Sequence, residues 1–286
     1  MERSLAGDRM KIFKFVKRDF RLGIWNRLFL FVLPLLIAGL QTRACSQIIW
    51  YLNADNIMQT QGSVMDYILY CTQGMAVFHF SPTEYFIIPV YWFLFQIYVS
   101  YLVVYYASDD FTANAQNLVI ASGRRKSWWD AKCIWGISTV LLYFGVYYAG
   151  IILWAKKWGA AMELHYTQSF LEQIAGMTVP ELSTADVFVM ALIVPLLITT
   201  GLCLAQIFMG FIMTPIVSFA VICGIYVLSA YYTVWWLPGS FSMWLRSSMM
   251  TQEGVNPVSG MLFSVLLIYG SWHMGRVYFE TKDILK

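Results

Sequence analysis

All 35 charged side chains of this 286-residue chain fall outside a handful of long apolar stretches. The charge-free windows are 28–42, 85–108, 133–155, 187–245 and 254–275, and the fourth is long enough for two passes. A helix needs about 20 apolar residues to cross a bilayer. A charge at the centre of such a helix costs about 2.5–3.5 kcal/mol. Five such windows in one chain predict membrane spans. Soluble domains carry about 25% charged residues, whereas this chain has 12% charged and 59% hydrophobic residues. It cannot cover itself with water-compatible surface, so lipid must be its solvent. The expected fold is an all-α polytopic membrane protein of one domain. Its six transmembrane helices are placed near 24–42, 85–107, 133–155, 187–208, 215–237 and 258–276, with a tight hairpin at 209–215 between the fourth and fifth. A cleavable leader is not expected, because the first apolar run reads as a retained span.

The order of the charges gives an orientation. Eight basic residues precede the first span, four lie between spans two and three, and three (Arg276, Lys282 and Lys286) lie at the end of span six and in the tail at 277–286. Only Arg43, Lys156, Lys157 and Arg246 fall on the other side. By the positive-inside rule both termini are cytoplasmic in a multi-pass protein of the cell membrane. The net charge of +3 is the remainder of this asymmetry, not a nucleic-acid signal.

Residues 1–23 hold a basic amphipathic segment. At 100° per residue Phe13, Val16 and Phe20 share one face with Ile12, while Lys14, Lys17, Arg18 and Arg21 share the other with Lys11. Such a helix lies in the interface against anionic lipid and anchors the first span. On the external side, loop 43–84 contains apolar pieces. Loop 156–186 offers a surface helix near 161–177. The stretch 238–257 reads as a re-entrant segment before span six.

Catalytic signatures are absent. There is no G-x-x-x-x-G-K-[ST] phosphate loop, no H-E-x-x-H and no G-x-S-x-G. His79, His165 and His273 are dispersed, without metal-ligand spacing. No Asp or Glu falls inside a span, which argues against an ion-coupled transporter. Cys133, Cys203 and Cys223 read as small apolar residues of spans. Cys45 and Cys71 share an external loop and are either a disulfide or two free thiols. Gln96, Thr199, Thr200 and Gln206 are polar groups within spans, and they either line a path or bond between helices. Tyr91 and Tyr98 belong to a stripe with period seven that serves helix packing or a conduit wall.

The most informative loop lies between spans two and three. It contains Asn114, Asn117, Leu118, Ser122, the triplet Arg124, Arg125 and Lys126, and then the pair Trp128 and Trp129. Its length suits a short helix along the membrane that presents a face to a partner. With the start Lys17-Arg18-Asp19-Phe20-Arg21-Leu22-Gly23-Ile24, the loop 122–132 and the tail 279–285, the chain resembles the permease subunits of type-2 ABC exporters in their small six-span bacterial form. The resemblance implies a coupling helix over about 112–129 that contacts a separate ATPase in two copies. It also implies a second permease chain, alike or similar, and no enzymatic activity or cofactor in this chain, with ATP and magnesium held by the partner. Charge-free walls imply an amphipathic or hydrophobic substrate such as a peptide, drug or lipid. The alternatives are a membrane enzyme acting on lipid through Glu84, His79 or His165, and an immunity or partner-binding membrane protein that does not transport.

Overall fold

The computed structural model describes residues 12–80, 85–111 and 125–281. In chain order the helices are α1 (Ile12–Ala54), α2 (Val64–Thr72), α3 (Val90–Asp110), α4 (Arg125–Lys157), α5 (Gln168–Ala175), α6 (Thr184–Ile212), α7 (Pro215–Tyr231) and α8 (Pro257–Thr281). Five of them, α1, α3, α4, α6 and α8, are long and apolar enough to cross a membrane. The sixth apolar helix, α7, has 17 residues, or about 25 Å at 1.5 Å per residue. Among the described residues there are two isolated bridges and no strand. The outward faces of α1, α7 and α8 are lined with exposed apolar side chains, including Leu36, Leu40, Val221, Leu228, Leu262 and Leu266.

Helix α1 is longer than its charge-free window. It continues past Arg43 to Ala54, burying Thr42, Cys45, Ile49 and Leu52 while Arg43 stays exposed. A charge on the outer face of a helix end does not stop the helix, so the loop that follows is shorter than the charge pattern predicts. The lower part of α1 is irregular, with a π turn at Phe20–Ile24, a 3-10 segment at Trp25–Phe31 and a break at Arg27 (φ −119°, ψ 17°). Pro34 lies just beyond. Proline lacks the N–H that would bond the carbonyl four residues back, here Leu30. The Tyr98 hydroxyl of α3 donates to that carbonyl at 2.7 Å.

The same arrangement recurs in α6. A π turn at Val189–Ile193 precedes Pro195. The carbonyl four residues back, Ala191, accepts the Tyr148 hydroxyl of α4 at 3.3 Å. In hydrocarbon a carbonyl released by proline must find another donor, and both are met by a tyrosine on a neighbouring helix.

Helix α6 is the most buried of the long helices and packs against α3, α4, α7 and α8. It turns into α7 within two residues, where Thr214 caps the next helix and Pro215 occupies its first turn. Proline suits that position because its N–H would be unpaired anyway. α2 is a short inserted helix with a capping box. Ser63 Oγ accepts the Asp66 N–H, and the Asp66 carboxylate accepts the Ser63 N–H at 2.8 Å. α5 ends at Gly176 in the left-handed conformation (φ 68°) that glycine adopts without strain. Between α7 and α8 the chain makes two 3-10 turns, Pro238–Ser242 and Trp244–Arg246, and all of residues 238–246 are buried. All five cysteines are free thiols, with Cys45 and Cys71 both buried.

Candidate functional site

The N-terminal part of α1, the end of α3, the start of α4 and the end of α8 meet at one end of the bundle. This end carries most of the lysines and arginines. Of the anchor residues, Phe13, Lys14, Lys17, Phe20 and Arg21 are exposed and Val16 is half-buried. Arg18 and its neighbour Asp19 turn inward instead. Lys132 of α4 is withdrawn completely from solvent, with Nζ 2.8 Å from Asp19 Oδ1 and 2.6 Å from Asp110 Oδ2. Arg18 also pairs with Asp110. The Tyr106 hydroxyl donates to Asp19 Oδ1 at 3.0 Å, and Lys132 stands 4.6 Å over the Tyr106 ring. Two cations and two carboxylates balance, which is the condition for burying charge at all. Gly23 lets α1 approach α4 here, since a Cβ would overlap the Trp135 indole.

A second cluster sits beside the first. Trp128 and Trp129 are both fully buried, whereas a belt reading would place them at the interface. Trp128 meets Phe111 at 5.2 Å and Phe279 at 5.1 Å, and Trp129 stacks on Phe279 at 5.4 Å. Trp129 Nε1 donates to the Trp272 carbonyl at 2.9 Å, and Gly275 opens the space for its ring. Asp130 accepts the Trp272 indole N–H at 2.8 Å and pairs with Arg276 at 3.2 Å. Trp128 and Trp129 therefore brace α4 against α6 and α8 and do not offer a surface. Lys126 is exposed and pairs with Glu280 at 2.8 Å, and Arg125 is half-buried. Asn114, Asn117, Leu118, Ser122 and Arg124 lie outside the described residues.

Both flanks of segment 112–124 are thus clamped. On one side Asp110 and Phe111 and on the other Trp128, Trp129 and Lys132 belong to the same two clusters. Single-sequence reasoning missed Asp19 and Asp110. The available signal was an acidic residue inside an otherwise basic segment and a second at the end of a span.

Of the polar residues within the long helices, Gln96, Thr199 and Gln206 bond between helices. Gln96 Oε1 accepts Thr199 Oγ1 at 2.9 Å and the Tyr226 hydroxyl at 3.2 Å, tying α3 to α6 and α7. Gln206 Nε2 donates to the Ser100 carbonyl at 3.1 Å. Thr200 bonds its own helix at Leu196, and Tyr98 serves Leu30. Tyr91 is exposed at the start of α3.

At the opposite end of the bundle two buried charges organise the segments between the long helices. Asp66 accepts the Thr167 N–H at 2.7 Å and the Thr167 hydroxyl at 2.8 Å, besides its capping box. Arg246 is fully buried and pairs with no carboxylate among the described residues. Its guanidinium donates to the Ser229 and Ala230 carbonyls at 2.6 Å each, and to those of Met75 and Ala76 at 3.2 Å. Burial pushes its pKa down to about 10, so it remains a cation at neutral pH. His79 faces Glu253 at 3.2 Å with both side chains exposed, and His165 stacks on Tyr166. Glu84 lies outside the described residues. Among the described residues no three metal-ligating side chains cluster.

No family model, curated protein or solved structure matches the chain.

Proposed function

We propose that the chain is the membrane-spanning, non-enzymatic subunit of a type-2 ABC exporter. In this reading it has six spans with both termini in the cytoplasm. It works as a homo- or heterodimer with two copies of a separate ATPase that bind ATP and magnesium. The observation that carries the reading is the double clamp on the flanks of segment 112–124. A partner that pushes on that segment moves Asp110 and Lys132, and through them α1, α3 and α4. Through Trp128 and Trp129 it also moves α6 and α8. A loop with no mechanical role has no need of two buried clusters at its base. The charge-free middle stretches of the long helices favour an amphipathic or hydrophobic substrate, because a charged one would be desolvated without compensation.

The test is affinity purification of the tagged protein from its native membrane in mild detergent. The expected result is a co-purifying ATPase in stoichiometric amount, lost when Arg124, Arg125 and Lys126 are changed to Glu. Glu280→Lys serves as the control for the Lys126–Glu280 pair and should retain the partner. A preparation that never contains an ATPase overturns the reading.

A further inference from the structure

Two neighbouring chambers lie among α1, α2, α3, α4 and α6, away from the basic end. The outer one, about 140 Å³, is lined by Gln41, Tyr70, Gln73 and the first turn of α3 from Pro89 to Trp92. The inner one, about 20 Å³, reaches Gln96, Tyr147 and Ser242. Cys71 and Trp92 form the wall between them. Val90 and Tyr91 are exposed at the mouth.

The back wall is fixed. Gln41 Nε2 donates to the Cys71 carbonyl at 2.9 Å, and the Tyr147 hydroxyl lies 2.6 Å from Gln41 Oε1. Trp92 is held by its indole N–H on Ser242 Oγ at 3.0 Å and by an edge contact to Tyr226 at 5.6 Å. Preformed walls of this kind characterise small-molecule sites.

The lining also carries hydrogen-bonding groups that are not used. The Tyr70 and Tyr91 hydroxyls and the Gln73 amide have no hydrogen-bond partner among the described residues. Deeper in, Gln96 is 1% exposed, and its carbonyl oxygen accepts two hydrogen bonds. The inner chamber has room for one water.

Size and charge then narrow the occupant. An apolar cavity of about 150 Å³ accepts a benzene ring, and the outer chamber is of that size. Its walls are partly aromatic and partly amide and phenol. Neither chamber is lined by Lys, Arg, Asp, Glu or His. A charged group would lose its hydration with nothing in return. A purely apolar ring would leave Gln73 and the two tyrosine hydroxyls without partners.

We propose that these chambers are a binding site for an uncharged, ring-sized group bearing a hydroxyl, received between Tyr70, Tyr91 and Trp92 and hydrogen-bonded by Gln73. The site is complete within one chain and does not depend on the partner ATPase.

The probe is 4-(trifluoromethyl-diazirinyl)benzyl alcohol, photolysed with the full-length protein in lipid nanodiscs and mapped by peptide mass spectrometry. Labelling is expected to concentrate on residues 70–73 and 89–92. Excess phenol should reduce it at least about tenfold, whereas excess benzoate should leave it within about twofold. The double variant Gln73→Leu with Tyr91→Phe should lose labelling to the same degree while keeping the wild-type unfolding temperature. Labelling spread equally over exposed aromatic residues such as Tyr269 would mean partition into lipid only and overturn the site. Equal competition by benzoate also overturns it. The competition arms use the unmodified protein, so they decide the question even if the double variant does not fold.

Discussion

Lys132 and Asp110 meet at 2.6 Å across the segment that separates α3 from α4, and the lysine is fully withdrawn from solvent. Asp19 joins the same ammonium at 2.8 Å and draws the N-terminal part of α1 into the joint. Removing one partner of a buried ion pair costs about 3–5 kcal/mol, because the remaining charge stays behind uncompensated. Lys132→Met should therefore lower the unfolding temperature in detergent sharply, by an amount equivalent to about 3–5 kcal/mol. Adding Asp110→Asn to that variant should recover part of the loss, since one stranded carboxylate is removed. A Lys132→Met protein that unfolds at the wild-type temperature would show that the joint bears no load.

Arg246 makes a different use of buried charge. The last carbonyls of any helix lack intrahelical partners, and at the end of α7 the guanidinium supplies them while also holding Met75 and Ala76. A lysine ammonium is a compact point charge and cannot span these four carbonyls as a planar fork does. Arg246→Lys should cost about 1.5–3 kcal/mol, the range for hydrogen bonds to charged groups, and Arg246→Met should cost more. The folded pKa of Arg246 lies below its ordinary 12.5, at about 10. The folded state thus holds fewer protons than the unfolded chain only above about 10, and stability linked to this group rises with pH only there. Both variants should show the same loss at pH 6 and pH 8 in thermal unfolding, and a loss that changes between those values would contradict this account.

The long apolar helices and the tight α6–α7 hairpin were legible in the sequence, because charge exclusion and proline placement act locally. The end of α1 was not. Arg43 closed the apolar window, yet a helix tolerates one charge on its exposed side and α1 runs on to Ala54. Periodicity assigned faces to the basic N-terminal segment but could not say that Asp19 would meet Lys132, more than a hundred residues away. Trp128 and Trp129 look like interface residues by type and position. Their burial depends on Gly275 of α8 and Phe279 one turn beyond it, a pairing with no local signature. The polar residues Gln96, Thr199 and Gln206 were visible, but which helix each would bond was not.

Asp66 couples two segments that the sequence presents as separate loops. Its carboxylate receives donors from Ser63 and Thr167, and beside it Val64 N–H bonds the Ala161 carbonyl at 2.9 Å. Asp66→Asn turns one acceptor oxygen into a donor facing N–H and O–H groups. The expected loss is about 1.5–3 kcal/mol. It should appear first as faster protease cleavage between Gly159 and Thr167, with the long helices still protected. Cleavage at the wild-type rate would mean that the backbone bonds alone hold the two segments together.

Tyr98 and Pro34 offer the sharpest test of how the kinked helices are satisfied. Because residue 34 is proline, the Leu30 carbonyl lacks the donor four residues on that an α-helix would give it, and the Tyr98 hydroxyl bonds it at 2.7 Å. Tyr98→Phe strands that carbonyl and should cost about 1–2 kcal/mol, in line with hydrogen bonds between helices in membranes. Pro34→Ala restores an N–H four residues after Leu30. In the Tyr98→Phe background it should therefore return stability, although the same change in the wild-type protein competes with Tyr98 and gains less. The double-mutant cycle should give a coupling of about 0.5 kcal/mol or more, since the two residues serve one acceptor. Simple additivity of the two changes would mean that the tyrosine and the proline act independently, and that the irregular first part of α1 has some other cause.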